Sequence, residues 1–154
     1  MQLTSPAFQD KESIPTLYTC EGKNMHPPLL FHNVPANAKT LVLIMDDPDV
    51  PASVRPEMMY DHWVLFNIAP NTKGIAEKGE IPGVHGQSTN GKNGYVGPCP
   101  PFGEHRYFFK LYALNILLTL SEGATKEEVE KAMQGHILAE ASLMGRYAKK
   151  RGQP

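Results

Sequence analysis

Fourteen prolines and thirteen glycines are spread through 154 residues, and they alternate with short apolar runs instead of gathering in one tract. Proline fixes φ and removes a backbone donor, while glycine opens turn conformations closed to other residues. A chain punctuated this often has little room for long helices and reads as a loop-rich, mainly β domain. "TLVLIM" (40–45) is continuously apolar, rich in β-formers, and stopped by "DDPDVP". It is expected to be a strand buried on both faces. "HWVLFNI" (62–68) and "RYFFKLYAL" (106–114) are two further strands. In the latter, alternation puts Tyr107, Phe109, Leu111 and Ala113 on one face and Arg106, Phe108, Lys110 and Tyr112 on the other. Weaker strand signals lie at 3–8, 14–19 and 29–32. Residues 70–96 carry six glycines and few apolar side chains, a long connection with one short strand expected near 75–81.

Toward the C-terminus the pattern changes. Thr125 followed by Glu128 is a capping box. Val129, Ala132 and Met133 then give an apolar stripe that Gly135 can end. Ile137, Ala141, Met144 and Ala148 share one face of a second expected helix. Strands first and helices last suggest a sheet domain with helices packed at one side, its strands antiparallel because the turns are short. Neither a repeat nor a linker divides the chain, so residues 1–154 are read as a single domain.

Acidic residues exceed basic ones by only one, 16 against 15, so no basic field exists to attract nucleic acid. The one basic cluster, Lys149-Lys150-Arg151, reads as a solvated helix end. No apolar run approaches the roughly 20 residues of a membrane span. The opening "MQLTSPAFQDKES" lacks the basic-then-apolar order of a signal peptide, so a cytoplasmic protein is expected. In that compartment Cys20 and Cys99 should be thiols, a redox link between them being the alternative.

Three stretches carry candidate chemistry. In "DDPDVP" (46–51) the prolines hold Asp47 on a stiff strand end, though taken alone the stretch fits better a plain Asp-Pro turn whose Asp side chains bond nearby amides. His62 opens a strand, either as a structural histidine or as a group for anion binding and proton transfer. Trp63, beside it, should face the other way. "GPCPPFGEHRY" (97–107) has three prolines without N–H groups, so it cannot cradle a phosphate with a row of amides. Gly97 would let a ligand approach its backbone. His105 and Tyr107 point together, and Arg106 opposite them should meet an acid. A Cys99 nucleophile, or a metal held by Asp47, His62 and His105, lacks supporting spacing, so neither a catalytic residue nor a metal or cofactor is assigned.

Taken together, "DPDVP", "HW" and "GPCPPFGEHRYFF" resemble the signature of the phosphatidylethanolamine-binding protein family. "LTSPAF", "YTCEGKNMHPPLLF", "VPANAKTLVLI" and "GHILAEASLMGRY" extend the likeness to its short bacterial and archaeal branch, often called Raf-kinase-inhibitor-like. The resemblance implies a Greek-key β-sandwich of antiparallel sheets with peripheral helices. It also implies a pocket for small anions such as phosphate, acetate or phosphoethanolamine. By motif the ligand-binding residues would be Asp47, Asp49, His62, Gly97, Pro98, His105 and Tyr107, with Met58, Met59, Tyr60 and Cys99 at the rim. Protonated His62, the Tyr107 hydroxyl and the Gly97 N–H would donate to the anion. Asp47 would orient a histidine, and His105 would form a wall or a link to Asp49. The implied role is a non-catalytic regulator or inhibitor of a partner, a kinase or a protease. A hydrolase using Asp47 and His62, and a lipid head-group carrier, are the alternatives. A homodimer through an exposed sheet face or the Met-rich insertion stays open.

Overall fold

A computed structural model describes residues 1–150. Two antiparallel sheets face each other. The smaller contains β1 (Gln2–Thr4), β2 (Leu29–His32) and β5 (Gly74–Ile75), in the order β1-β2-β5. The larger contains β3 (Thr40–Asp47), β4 (Tyr60–Ile68), β6 (Val84–His85), β7 (Glu104–Leu114) and β8 (Ile137–Ala148), in the order β6-β4-β3-β7-β8. The run β7-β3-β4-β6 has the spatial order 4-1-2-3 of a Greek key, with β5 leaving for the other sheet between β4 and β6.

β3 is the central strand because its sequence lets it be. Every one of its eight residues is buried. Leu41, Leu43 and Met45 enter the core between the sheets with Trp63, Phe109 and Leu111. Val42 and Ile44 enter a second core on the outer face with Phe66, Val129 and Met133. The alternation read in β7 holds: Tyr107, Phe109, Leu111 and Ala113 all lie in the inter-sheet core.

α1 (Lys126–Met133) covers the second core. Its start is the expected capping box. The Thr125 hydroxyl accepts from the Glu128 N–H at 3.2 Å, and the Glu128 carboxylate accepts from the Thr125 N–H at 3.1 Å. Such a cap stabilises a helix by about 1 kcal/mol. Gly135, just beyond the helix, has φ +81°, the left-handed conformation that terminates many helices.

The second expected helix is a strand. β8 pairs with β7 from Glu104↔Ala148 to Leu114↔Ile137. Its Ala, Glu, Leu and Met content favours a helix locally, but the long ladder with β7 overrides that preference. Only Leu143, Gly145 and Tyr147 are buried, so the period of two shows over its last residues alone. Gly145 sits where an added Cβ would lie 2.4 Å from Ile14 Cγ1, a close approach that explains a glycine in mid-strand. One α-helix, rather than several, therefore accompanies the sheets among the described residues. Of the basic cluster, Lys149 and Lys150 follow a strand and not a helix, and Arg151 lies outside the described residues. The 14–19 signal is a 3₁₀ turn, Thr16–Tyr18, placed by Pro15, and the 3–8 signal shortens to β1. No helix among the described residues is long and apolar enough to cross a membrane.

Candidate functional site

The C-terminal end of β3, the start of β4 and the start of β7 meet at one end of the larger sheet. There they bound a cavity of about 370 Å³ with the loops 50–55 and 96–101. Asp47, Tyr60, His62, His105 and Tyr107 line it, as do Gly97 and Cys99.

Asp47 ends β3 facing inward, in step with Leu43 and Met45. One carboxylate oxygen accepts from the Asp49 N–H at 2.7 Å, the self-bonded Asp-Pro turn that the sequence left open. The other accepts from His105 Nδ1, also at 2.7 Å, with both side chains almost fully buried. Asp47 does orient a histidine, and that histidine is His105. The expected link from His105 to Asp49 is replaced by this bond. Asp49 instead takes the Arg106 N–H at 2.8 Å and its guanidinium at 2.9 and 3.0 Å. The Arg106 hydrogen bond holds the Asp49 carboxyl below the usual range. Arg106 meets an acid as expected, and Asp49 is thereby turned away from the cavity lining.

A bulge brings His62 in. Trp63 pairs with Met45 and Asp61 with Asp46, which leaves His62 without a partner on β3. The extra residue reverses the alternation. His62 and Tyr60 line the cavity, and Trp63 lies in the inter-sheet core, so His62 and Trp63 do not face opposite ways. The His62 ring donates from Nδ1 to the Val96 carbonyl at 2.6 Å, which assigns the proton to that nitrogen because a carbonyl only accepts. Burial pushes its pKa down to about 4, against the raising effects of Val96 and Asp47. At neutral pH His62 is an uncharged ring with the Nε2 lone pair left over. Desolvation works against the protonated, donating His62 that the resemblance implies.

Tyr107 is fully buried and packs edge-to-face on His62, ring centroids 5.2 Å apart. Its hydroxyl has no partner among the described residues. Burial, then the Asp47 charge, pushes its pKa up, so it stays a donor. The Tyr60 pKa is also raised by burial, partly opposed by Arg55, whose guanidinium lies 5.8 Å from the Tyr60 ring centre.

The Gly97 N–H does not point to a ligand. It donates to Asn24 Oδ1 at 2.8 Å, and a Cβ here would lie 2.2 Å from that same atom and 2.5 Å from the Tyr18 carbonyl. The glycine is needed for the approach of residues 16–24. Cys20 and Cys99 complete this seam as a disulfide with Cα atoms 5.5 Å apart, and the Cys20 N–H donates to the Pro98 carbonyl at 3.1 Å. The two thiols expected from the sequence are thus corrected: folding brings the pair together across 79 residues. Pro98 is buried behind the lining, and Met58 and Met59 do not line the cavity. Val50, Val54 and Arg55 do; Val54 and Arg55 belong to the insertion 52–61 expected at the rim.

Outside the cavity, on the outer face, the buried Asp46 carboxylate accepts from Lys126 at 2.8 Å and Lys110 at 3.1 Å, and Lys126 lies 3.4 Å from Asp61. Burial pushes the Lys126 pKa down, and Asp46 and Asp61 more than reverse it. These bonds anchor α1 to β3 and β4. Among the described residues no group of three or more His, Cys, Asp or Glu side chains could hold a metal ion.

This architecture has known counterparts. A protein of Chlamydia trachomatis named "UPF0098 protein" is 50% identical over 149 residues, covering 97% of this chain and 99% of its own. A protein of the same name from Methanothermobacter thermautotrophicus is 50% identical over 153 residues, covering 96% and 98%. The crystal structure of the phosphatidylethanolamine-binding protein homolog CT736 from Chlamydia trachomatis superposes with a TM-score of 0.93 at 49% identity, over 96% of this chain and 97% of that one. The Escherichia coli protein YbcL, described as a new member of the mammalian family, gives 0.86 at 25% identity over 97% and 98%. The family description "Phosphatidylethanolamine-binding protein" matches residues 4–148, and the chain belongs to that family.

Proposed function

We propose that the protein binds a small oxyanion or phosphorylated head group in this cavity and acts, without catalysis, as a regulator or inhibitor of a partner protein. The observation that carries the binding reading is the Tyr107 hydroxyl. It is a buried donor with no partner among the described residues, and the His62 ring packs edge-to-face against its ring. Buried polar groups are almost always satisfied, so an unpaired hydroxyl buried at the wall of a cavity supports a ligand that accepts from it. A volume of about 370 Å³ suits a head group and not an acyl chain, which favours a head-group binder over a carrier of whole lipids.

The hydrolase alternative needs Asp47 to serve His62. Both Asp47 oxygens are already engaged, by Asp49 and His105, which supports the non-catalytic reading. The exposed apolar Val54 lines the cavity, and exposed Phe102 follows its lining residue Pro101 in the chain, which supports a surface where a kinase or protease, or a second copy of the chain, could sense the bound ligand. The expected cytoplasmic location and the disulfide pull in opposite directions, because reducing compartments keep cysteines as thiols. Intact mass of protein from its native cells, with and without reductant, decides between them.

Calorimetry with phosphoethanolamine at pH 5.5 tests the binding reading. Saturable one-to-one binding, weakened in Tyr107→Phe, is expected. Absence of binding at millimolar ligand would refute it.

A further inference from the structure

Arg55 is the one lysine or arginine among the residues that line the cavity. Its charge is permanent, whereas His62 and His105 in the same lining are cationic only when protonated. Asp47 brings a carboxylate to that lining. Arg106 is outside it and held by Asp49. An oxyanion in this cavity therefore has one fixed positive charge to meet.

The backbone around Arg55 is held by turns. The N–H groups of Val54 and Arg55 both donate to the Pro51 carbonyl, at 2.9 and 3.0 Å, and the Arg55 carbonyl accepts from the Met58 N–H at 3.0 Å. The guanidinium lies 5.8 Å from the Tyr60 ring centre. The Tyr60 and His62 rings are 4.7 Å apart, and the His62 and Tyr107 rings 5.2 Å. A row of three rings thus runs from the Arg55 guanidinium to the ring that bears the unpaired Tyr107 hydroxyl. The ion-pair partner of Arg55 is Glu57, which lies outside the lining. The Glu57 side chain is 52% exposed and that of Arg55 38%. A pair this exposed contributes little, because water and salt screen it and two long side chains must be held still. An oxyanion between Val50, Val54, Pro100 and Pro101 is screened less and is the stronger partner.

Resting on the proposed binding function, we infer that Arg55 is the specificity-determining cation of this pocket, and that its guanidinium leaves Glu57 for the oxygens of the bound ligand. The movement is a change of side-chain rotamer on a fixed backbone. The planar fork of arginine matches two oxygens on one centre, so the pocket takes compact oxyanions in preference to neutral molecules of the same size. Glu57 is a built-in competitor for the same guanidinium.

Calorimetry on the full chain at pH 5.5, with phosphoethanolamine and separately with inorganic phosphate, tests the assignment. Arg55→Gln should weaken both ligands about tenfold, the loss of one charge-assisted contact. The two losses should agree, because the contact is to the oxyanion and not to the ethanolamine stem. Arg55→Lys keeps the charge without the fork and should fall between wild type and Arg55→Gln. Glu57→Gln should tighten binding about two- to fivefold, the worth of one exposed ion pair, and that gain should vanish when Arg55→Gln is also present. Unchanged affinity in Arg55→Gln overturns the inference. So does a loss confined to one of the two ligands, or a gain in Glu57→Gln that persists without Arg55, which would be plain repulsion of the anion. In each of those cases the binding function stands. No binding of either ligand by the wild-type chain instead removes the binding function itself.

Discussion

Replacing Tyr107 with phenylalanine removes one oxygen and separates two readings of that hydroxyl. Tyr107 is 0% exposed, and its hydroxyl has no partner among the described residues. A structural hydroxyl would be hydrogen-bonded, and its loss would cost about 1 kcal/mol or more, chiefly by stranding the partner. An unpaired one strands nothing. A buried unsatisfied polar group carries a desolvation penalty of about 1–3 kcal/mol. Phenylalanine preserves the ring contacts with His62 and His105, so the unliganded Tyr107→Phe protein should be as stable as wild type or more stable by up to about 1 kcal/mol. Ligand binding should move the other way. A hydrogen bond to a charged oxygen contributes about 1.5–3 kcal/mol, so affinity for phosphoethanolamine should fall roughly 10- to 100-fold. Urea unfolding without ligand and calorimetry with it supply the two numbers. Destabilisation beyond about 1 kcal/mol would reveal a protein partner for the hydroxyl, and unchanged affinity would show that it does not meet the ligand.

Three further outcomes follow from the same structure. His62 has a folded pKa of about 4 against the usual 6.5, so between those values the unfolded chain binds more protons. Stability should therefore be full above pH 6.5 and decline by about 3 kcal/mol as pH falls to 4, a slope that His62→Gln should remove in urea titrations run at successive pH values. Reducing the Cys20–Cys99 bond, or replacing both residues with alanine, should lower stability by about 4 kcal/mol, because the bond closes a loop spanning 79 residues; thermal unfolding with and without reductant reads this directly. Lys126→Met should cost about 2–4 kcal/mol in urea unfolding, since it leaves Asp46 buried with only the more exposed Lys110; a loss below about 1 kcal/mol would mean Asp46 is adequately held without it.

Local chemistry made much of this protein readable in one dimension. "TLVLIM" announced a strand buried on both faces because period-two side chains that are all apolar have no solvent face to offer. Thr125 and Glu128 announced a helix start because their hydrogen bonds close within three residues. The inward pairing of His105 with Tyr107, and the outward turn of Arg106, followed from the same alternation. The three motifs, two of them proline-bearing, named the family whose fold the chain adopts.

What only the tertiary structure decided involves partners far apart in the chain. β8 is a strand because β7 lies beside it, although its own residues favour a helix. His62 enters the cavity through a bulge whose existence depends on the register between β3 and β4. The Gly97 N–H goes to Asn24, Asp47 goes to His105, and Cys20 meets Cys99. A sequence records the face each residue prefers. Hydrogen-bond ownership and the charge of a buried ring are set by which distant groups arrive within about 3 Å and how much water they exclude. The sequence could therefore name His62 and Tyr107, which line one cavity. Packing alone pushed the His62 pKa down and left the Tyr107 hydroxyl without a partner among the described residues.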